Sequence, residues 1–427
     1  MSLKLITGPA NSGKTGAVLD ALTAALADEP VLVVPTGSDV ARFEEELLAR
    51  EAVAVGARIV TFERLFDLVT AATGAPAPAT LTDSQRLAVV GAAIARTRLD
   101  ILAEPASRAG FARALDAFLA EAGSAGVALD RTATDSVGTS IGDLRTGLIA
   151  GGVPYGRELA ALAASYAEVC GELGRSDRHA AAGAATAALE RSPDTWGERP
   201  VIFYGFDDLS NEQLALVKAL AGAAPVTVTL VREGDRVCLQ ARERLFGVLQ
   251  SSGGDVATEL PPFRGRSTLS HLERAFLTAE PVRRPPDEGL VLLAAAGNRS
   301  EVEQVGAEVA ALLREGVPAE EIAVIARSPA DHAGLVEQVF GSYGIPFAVQ
   351  AKLPFTHTPV GRALHALLRA ALGGGSAADL IAFLRYPGRA SPGHVDRLER
   401  DCRVERIATA EAAAAHWHEQ EGRRRLW

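Results

Sequence analysis

The stretch that most constrains this chain lies at its start, where Leu3-Lys4-Leu5-Ile6-Thr7 runs straight into Gly8-Pro9-Ala10-Asn11-Ser12-Gly13-Lys14-Thr15. The second segment fits G-x-x-x-x-G-K-[ST], a loop that cradles phosphate. Each position has a physical task. Leu3, Leu5 and Ile6 read as a short buried strand, and Gly8 lets the chain leave it sharply. Gly13 lets backbone N–H groups close around phosphate oxygens at a helix N-terminus, where the dipole also favours anions. Lys14 is placed to reach the β- and γ-phosphates, and the Thr15 hydroxyl to ligate Mg²⁺. The Ala/Leu-rich run Gly16 to Leu26 supplies the helix that must follow. Lysine occurs only at Lys4, Lys14, Lys218 and Lys352, so a chance match to a pattern this constrained is improbable. Gly8, Asn11, Ser12, Gly13, Lys14 and Thr15 are therefore the expected binding residues for ATP, with Thr15 on the metal.

The 427 residues suffice for two to four domains. No apolar run approaches the ~20 uncharged residues of a membrane helix, and the N-terminus has neither a basic nor an apolar signal region. A cytoplasmic protein without membrane contact is expected. Cys170, Cys238 and Cys402 stand far apart in no metal spacing, which suits a reducing compartment. The formal net charge is −10, so any nucleic acid must be met by local arginine-lined surfaces rather than by bulk charge.

Along the chain, Pro30 to Pro35 is a continuous apolar run suited to a parallel sheet buried on both faces. Ser38 is expected to cap a helix through Leu48, Arg58-Ile59-Val60 forms another strand, and Thr61 to Phe66 opens a further helix. This alternation marks a parallel α/β sheet with right-handed crossovers. It breaks at Gly74 to Ala79. From Thr82 to about Arg191 only helical periodicity remains, over Thr82 to Arg98, Arg108 to Ala122, Tyr155 to Leu173 and Asp177 to Arg191. The α/β pattern resumes with strand Pro200 to Tyr204, helix Asn211 to Leu220 and the alternating strand Pro225 to Val231. A second boundary falls between Glu280 and Pro286. Beyond it, strands Gly289 to Leu293, Ile322 to Ile325 and Pro346 to Val349 alternate with helices Ser300 to Arg314 and Ala330 to Phe340, and the chain is helical from Thr358.

The fold class expected is α/β: a P-loop NTPase (RecA-like) parallel sheet with an all-α insertion, plus a second, incomplete RecA-like unit. The first unit takes residues 1–76 and 196–282, the helical insertion 77–195. The start of the second takes 287–372, with a helical segment over 373–427.

An NTPase normally ends an apolar strand beside the phosphate loop on an Asp that helps hold Mg²⁺, often followed by a Glu that activates water. The best candidate strand here ends Tyr204-Gly205-Phe206-Asp207-Asp208-Leu209-Ser210-Asn211-Glu212-Gln213. Its acids, Asp207 and Asp208, arrive three residues late. They are the candidate catalytic pair, although a helix N-cap role is the simpler reading.

At this point the residues resemble a family. UvrD-type superfamily 1 helicases carry D-E-F-Q-D-T at this site with a Gln a few residues on. Phe206, Asp208 and Gln213 match, while Tyr204 and Gly205 replace the metal-binding Asp and the catalytic Glu. The stretch is more similar to AddB, the partner subunit of the bacterial AddA–AddB helicase–nuclease, whose form is D-G-F-x-x-F-T-P-x-Q. Gly205-Phe206, Ser210 and Gln213 follow it, and only the leading Asp is lost to Tyr204. Val33-Val34-Pro35 with Arg42 and Glu45, and Ile59 to Phe66, also resemble AddB segments. So do Glu301 to Val305, Ile322 to Arg327, Tyr343 to Phe347, Leu353 and His357-Thr358-Pro359.

The resemblance implies an ATP-binding component of a helicase–nuclease acting on DNA double-strand breaks, with weak or degenerate ATPase. It implies DNA, single-stranded or as broken duplex ends, and an AddA-like subunit as partners. Phe62 and Arg64 are its candidate DNA contacts, by stacking and by phosphate contact. Phe62 and Phe66 also stand at helical spacing, which suits a core. If the chain is active, it is an ATP-dependent DNA helicase or translocase with Asp207 or Asp208 on the metal, and with exonuclease activity confined to a full-length protein or complex. A non-catalytic scaffold for a nuclease partner is the remaining alternative. The later helicase motifs, a nuclease pattern and an iron–sulfur cysteine set have no counterpart before Trp427, so an N-terminal portion of a longer protein, or a truncated relative, is expected. Arg266 in Arg264 to Thr268 resembles a γ-phosphate-sensing N-Y-R-S-T, and Gly234-Asp235 a helicase G-D-x-x-Q. A solvated loop and a strand-to-helix turn are their ordinary readings. His271, His357 and His365 form no ligand spacing, and Arg423 to Arg425 reads as an exposed basic end.

Overall fold

A parallel sheet can bury both faces only if successive residues of its strands feed two different cores, and the apolar runs of this chain do so. The computed structural model describes residues 2–51, 54–75, 79–108, 110–125, 127–128, 139–140, 154–233, 236, 239–262, 265, 267–278, 280–285, 289–349, 355–372 and 374–425. The chain divides into two compact units, Met1–Leu290 and Val291–Trp427.

In the first unit β1 (Ser2–Gly8), β2 (Val31–Val33), β3 (Arg58–Val60), β6 (Val201–Phe203), β7 (Pro225–Val231) and β8 (Gly254–Glu259) form a six-stranded sheet in the order β3-β2-β6-β7-β1-β8. Every pairing in it is parallel. Val31, Val33, Val201, Phe203, Val226 and Val228 face one core with Leu65, Leu189, Trp196, Leu216 and Leu220. Their neighbours Leu32, Val34 and Ile202 face the other, with Val18, Leu19, Leu22, Phe43 and Leu47. This is the expected α/β sheet. Helix 37–50 starts earlier than its sequence suggests, because the Thr36 side chain, not Ser38, caps it by accepting from the Asp39 N–H.

β8 has no apolar signature, and Gly254 is its one buried residue. It is an edge strand, recruited by backbone pairing to β1 rather than by side-chain burial. β6 is not the direct neighbour of the loop strand, since β7 runs between them.

Between β3 and β6 the chain forms helix Phe62–Thr73 and then helices Asp83–Arg96, Phe111–Ser124, Gly156–Glu172 and Arg178–Arg191, with a short turn Ala103–Ala106. Helices Asp83–Arg96, Phe111–Ser124 and Gly156–Glu172 share a core of Val89, Val90, Ala93, Leu115, Leu119, Leu162, Tyr166 and Val169, whereas Arg178–Arg191 turns Ala185 and Leu189 into the sheet core. Among the described residues of this segment the rest is helix or its connections, apart from β4 (Val127–Ala128) and β5 (Thr139–Ser140), a two-residue parallel pair.

In the second unit helices Asn298–Arg314 and Pro329–Tyr343 pack through Val302, Val309, Val339 and Phe340. Among the described residues four further helices over 359–425 follow, and three of them share a core of Ile381, Val395, Leu398 and Ala413. The segments 289–293, 322–325 and 346–349, expected as strands, are not paired into a sheet. Leu292 and Ile325 are each 93% exposed. A strand needs a neighbour's backbone as well as its own propensity, and among the described residues no ladder joins these segments to a second strand.

Candidate functional site

The phosphate loop leaves β1 at the C-terminal edge of the sheet, between β7 and β8. A Cβ on Gly8 would stand 2.7 Å from Ser12 Oγ and 2.9 Å from the Leu260 carbonyl, so only glycine lets the loop fold this tightly. Asn11 (φ 54°) and Gly13 (φ 87°) are both left-handed. Backbone of this kind turns N–H groups into an anion-binding concavity. Helix Lys14–Ala24 begins there, with Gly13 at its N-cap and no acidic residue in its first turn. Its free N–H groups and dipole face the loop unopposed.

Lys14 is 7% exposed and folds back over the loop. Its ammonium donates to the Gly8 carbonyl at 3.0 Å, to the Pro9 carbonyl, and to Ser12 Oγ at 3.0 Å. Burial holds its pKa below the usual lysine value; the Glu233 carboxylate pulls it back up and the Arg242 guanidinium pushes it further down. The Thr7 hydroxyl, at the end of β1, is the buried side-chain polar atom without a partner among the described residues. A tight cradle, left-handed turns and a buried ammonium fit a nucleotide's phosphates.

Two residues of the site have no motif around them. Glu233 lies just past β7, brought beside the loop because the Arg232 N–H continues the ladder onto the Gly8 carbonyl at 3.0 Å. Its carboxylate accepts from the Ala10 N–H at 2.7 Å and pairs with Arg236 at 2.9 Å. Arg242, on helix Gln240–Ser251, pairs with Asp207 at 2.6 Å. The signal that locates both is topological: the residues after a strand flanking the loop strand must meet the loop. Beside Asn11 an open depression of about 610 Å³ is lined by Arg236, Leu269, Leu272, Glu273 and Phe276.

The strand-end position holds Tyr204. Its N–H continues the ladder onto the Val33 carbonyl at 3.0 Å, and its ring meets Phe43 edge-on at 5.0 Å. Although β7 separates β6 from β1, the long side chain spans the gap, and its hydroxyl lies 2.7 Å from Thr15 Oγ1. The acids that follow are used elsewhere. Asp207 is 69% exposed and held by Arg242, and Asp208 accepts the Leu209 N–H at 2.9 Å. The helix Asn211–Ala223 is capped by neither of them. Ser210 caps it, in a reciprocal box with Gln213. The N-cap reading of the aspartates is corrected accordingly, and Gln213 has a local structural task.

Phe62 is 6% exposed, with its ring 5.3 Å from Phe203 and 5.0 Å from Phe206. It packs in the core, and a base could stack on it only if it left. Arg64 is exposed on the same helix and pairs with Asp67 at 3.2 Å. Gly234, Asp235, Cys238, Arg266 and Leu353 lie outside the described residues, as do the side chains of His357 and Arg423 to Arg425. No helix among the described residues is long and apolar enough to cross a membrane.

No family model matches the chain. Individual proteins do. The AddB-type subunit of the ATP-dependent helicase/deoxyribonuclease of Pelotomaculum thermopropionicum is 28% identical over 408 residues, covering 87% of this chain and 34% of that protein. The protein of the same name from Heliobacterium modesticaldum is 26% identical over 441 residues, covering 93% and 35% respectively. That of Desulforudis audaxviator is 35% identical over 192 residues, 39% of this chain and 16% of that protein. The chain thus spans about a third of the length of the relatives that it matches most fully. A similarity this continuous, joined to the parallel sheet and its phosphate loop, makes the chain AddB-like.

Proposed function

We propose that this chain binds ATP as the motor-like part of an AddB-type subunit, within a cytoplasmic helicase–nuclease that processes DNA double-strand breaks. The observation that carries the nucleotide reading is the loop itself, with left-handed Asn11 and Gly13 ahead of a helix start and Lys14 buried among its carbonyls. Backbone N–H groups from Asn11 to Thr15 would hold the phosphates, and Lys14 would exchange its carbonyl partners for phosphate oxygens. The assembly reading rests on the similarity to proteins named as helicase and deoxyribonuclease subunits. DNA and an AddA-like subunit are the partners it implies.

Turnover is weak in this reading. Tyr204 and Gly205 stand where a water-activating carboxylate belongs, and Asp207 is engaged by Arg242. A missing general base costs on the order of 10²–10⁴ in rate. The test is calorimetric titration of ATP into the chain, paired with a DNA-stimulated hydrolysis assay. Binding should be lost in Lys14→Ala, and hydrolysis should stay near background with and without DNA. Robust turnover that disappears in Asp207→Ala or Asp208→Ala would instead support the active translocase.

A further inference from the structure

A magnesium ion that accompanies ATP is ordinarily fixed between the loop Thr or Ser hydroxyl and a carboxylate at the end of a nearby strand. The residues of this chain do not fit that arrangement. Thr15 Oγ1 already has a partner of its own, the Tyr204 hydroxyl at 2.7 Å. Tyr204 is no mobile surface group, because its backbone is tied to β2 and its ring to Phe43. A neutral phenol is a poor ligand for a hard cation that prefers carboxylate, phosphate and water. Among the described residues the nearby carboxylates are committed: Glu233 to Ala10 and Arg236, Asp207 to Arg242, Asp208 to its own turn. No group of three His, Cys, Asp or Glu among the described residues could hold a metal ion.

We infer that the site takes its nucleoside triphosphate without a protein-held metal ion, the Tyr204 hydroxyl serving as the fixed partner of Thr15 in the ion's place. The inference rests on the nucleotide-binding reading above. Charge balance supports it. Lys14 lies buried in the loop, and Arg242 lies close enough to oppose its ammonium. The Lys14 ammonium can offset phosphate charge that Mg²⁺ would otherwise neutralise, with Arg242 beside it still paired to Asp207. Tyr204 is then a positioning residue: it orients the Thr15 hydroxyl and denies it to the metal.

The experiment is calorimetric titration of ATP into the full chain, once with saturating Mg²⁺ and once in EDTA, for wild type, Tyr204→Phe and Tyr204→Asp. In wild type the two affinities should agree within about twofold, well under the tenfold that corresponds to about 1.4 kcal/mol. Tyr204→Phe keeps the ring but frees Thr15, and should gain about threefold from Mg²⁺. Tyr204→Asp restores the strand-end carboxylate and should gain about tenfold or more. A role in packing alone would lower affinity equally in both buffers, so the Mg²⁺-to-EDTA ratio is the diagnostic. A wild-type ratio above about tenfold overturns the inference while leaving nucleotide binding intact. A ratio that stays flat in both variants overturns the assignment to Tyr204. Absence of ATP binding by wild type in either buffer overturns the nucleotide reading itself. The wild-type ratio decides even if the Asp variant does not fold.

Discussion

Lys14 sets the behaviour expected at the scale of single residues. Its pKa lies below the usual 10.5, first because burial disfavours the ammonium and then because Arg242 faces it, with Glu233 opposing both. An incoming anion favours the charged form and raises that pKa again. The free site therefore takes up protons on binding, and ATP affinity should fall as pH climbs from the lowered value toward 10.5. Titrations carried upward in pH as far as 10.5, in the range where ATP itself is fully ionised, should show this decline, with proton uptake visible as a buffer-dependent heat. A flat profile over that range would mean that the ammonium does not meet the phosphates. Stability moves the other way. A buried ammonium costs the fold while it is protonated, and that cost fades as pH rises through the lowered pKa. The loop positions from Gly8 to Thr15 were legible in the sequence because backbone geometry and chemistry are packed into consecutive residues. Glu233 and Arg242 were not. They reach the loop only through strand order, and nothing local marks them. Tyr204 reads in the sequence as the loss of an acid, whereas the fold gives it a hydrogen-bonding partner 189 positions away.

At the scale of elements, the helical segment between β3 and β6 turns on one buried carboxylate. Asp177 is 4% exposed and caps helix Arg178–Arg191 by accepting from the His179 N–H at 2.9 Å. It also accepts from the Tyr166 hydroxyl at 2.7 Å and pairs with Arg86 at 3.2 Å. Arg86 in turn donates to the Asp116 side chain and carbonyl. One network thus ties together helices 83–96, 111–124, 156–172 and 178–191. The same burial that makes the network costly pushes the Cys170 thiol up to about 11, which leaves it unreactive at neutral pH. Removing one member of such a network strands a buried charge, a loss of about 3–5 kcal/mol. Arg86→Met should therefore speed amide exchange in helices 83–96 and 178–191 by on the order of 10²-fold or more. ATP affinity should be unchanged, because the loop is built on other elements. Breaking the exposed Arg64–Asp67 pair should cost under about 1 kcal/mol and leave exchange as it was. These helices were legible because each spaces apolar residues three or four apart, and Thr82 and Asp177 cap two of them. The strands expected beyond residue 289 read equally well, and yet among the described residues none of them is part of a sheet. Their runs Leu290 to Leu293 and Ile322 to Ile325 record a propensity to extend, and no local pattern says whether a partner strand exists.

At the scale of the molecule, two compact units divide the work unequally. All six strands of the main sheet, and every residue assigned to the phosphate loop and its surroundings, belong to Met1–Leu290. Val291–Trp427 carries packed helices and exposed apolar stretches, with Val291 at 69% and Leu292 at 93%. The first unit buries a sheet on both faces and adds a helical core of its own, as a domain that folds alone does. A chain ending at Leu290 should therefore keep the far-ultraviolet dichroism of a mixed α/β protein. It should also bind ATP within about twofold of the 427-residue chain, a difference under about 0.5 kcal/mol. The complementary chain from Val291 should bind none. It should also self-associate, since contiguous exposed apolar segments of this kind promote aggregation. Calorimetry on the two halves, with light scattering on the second, checks both expectations. A loss of tenfold or more in the shorter chain would mean that Met1–Leu290 does not carry the nucleotide site by itself.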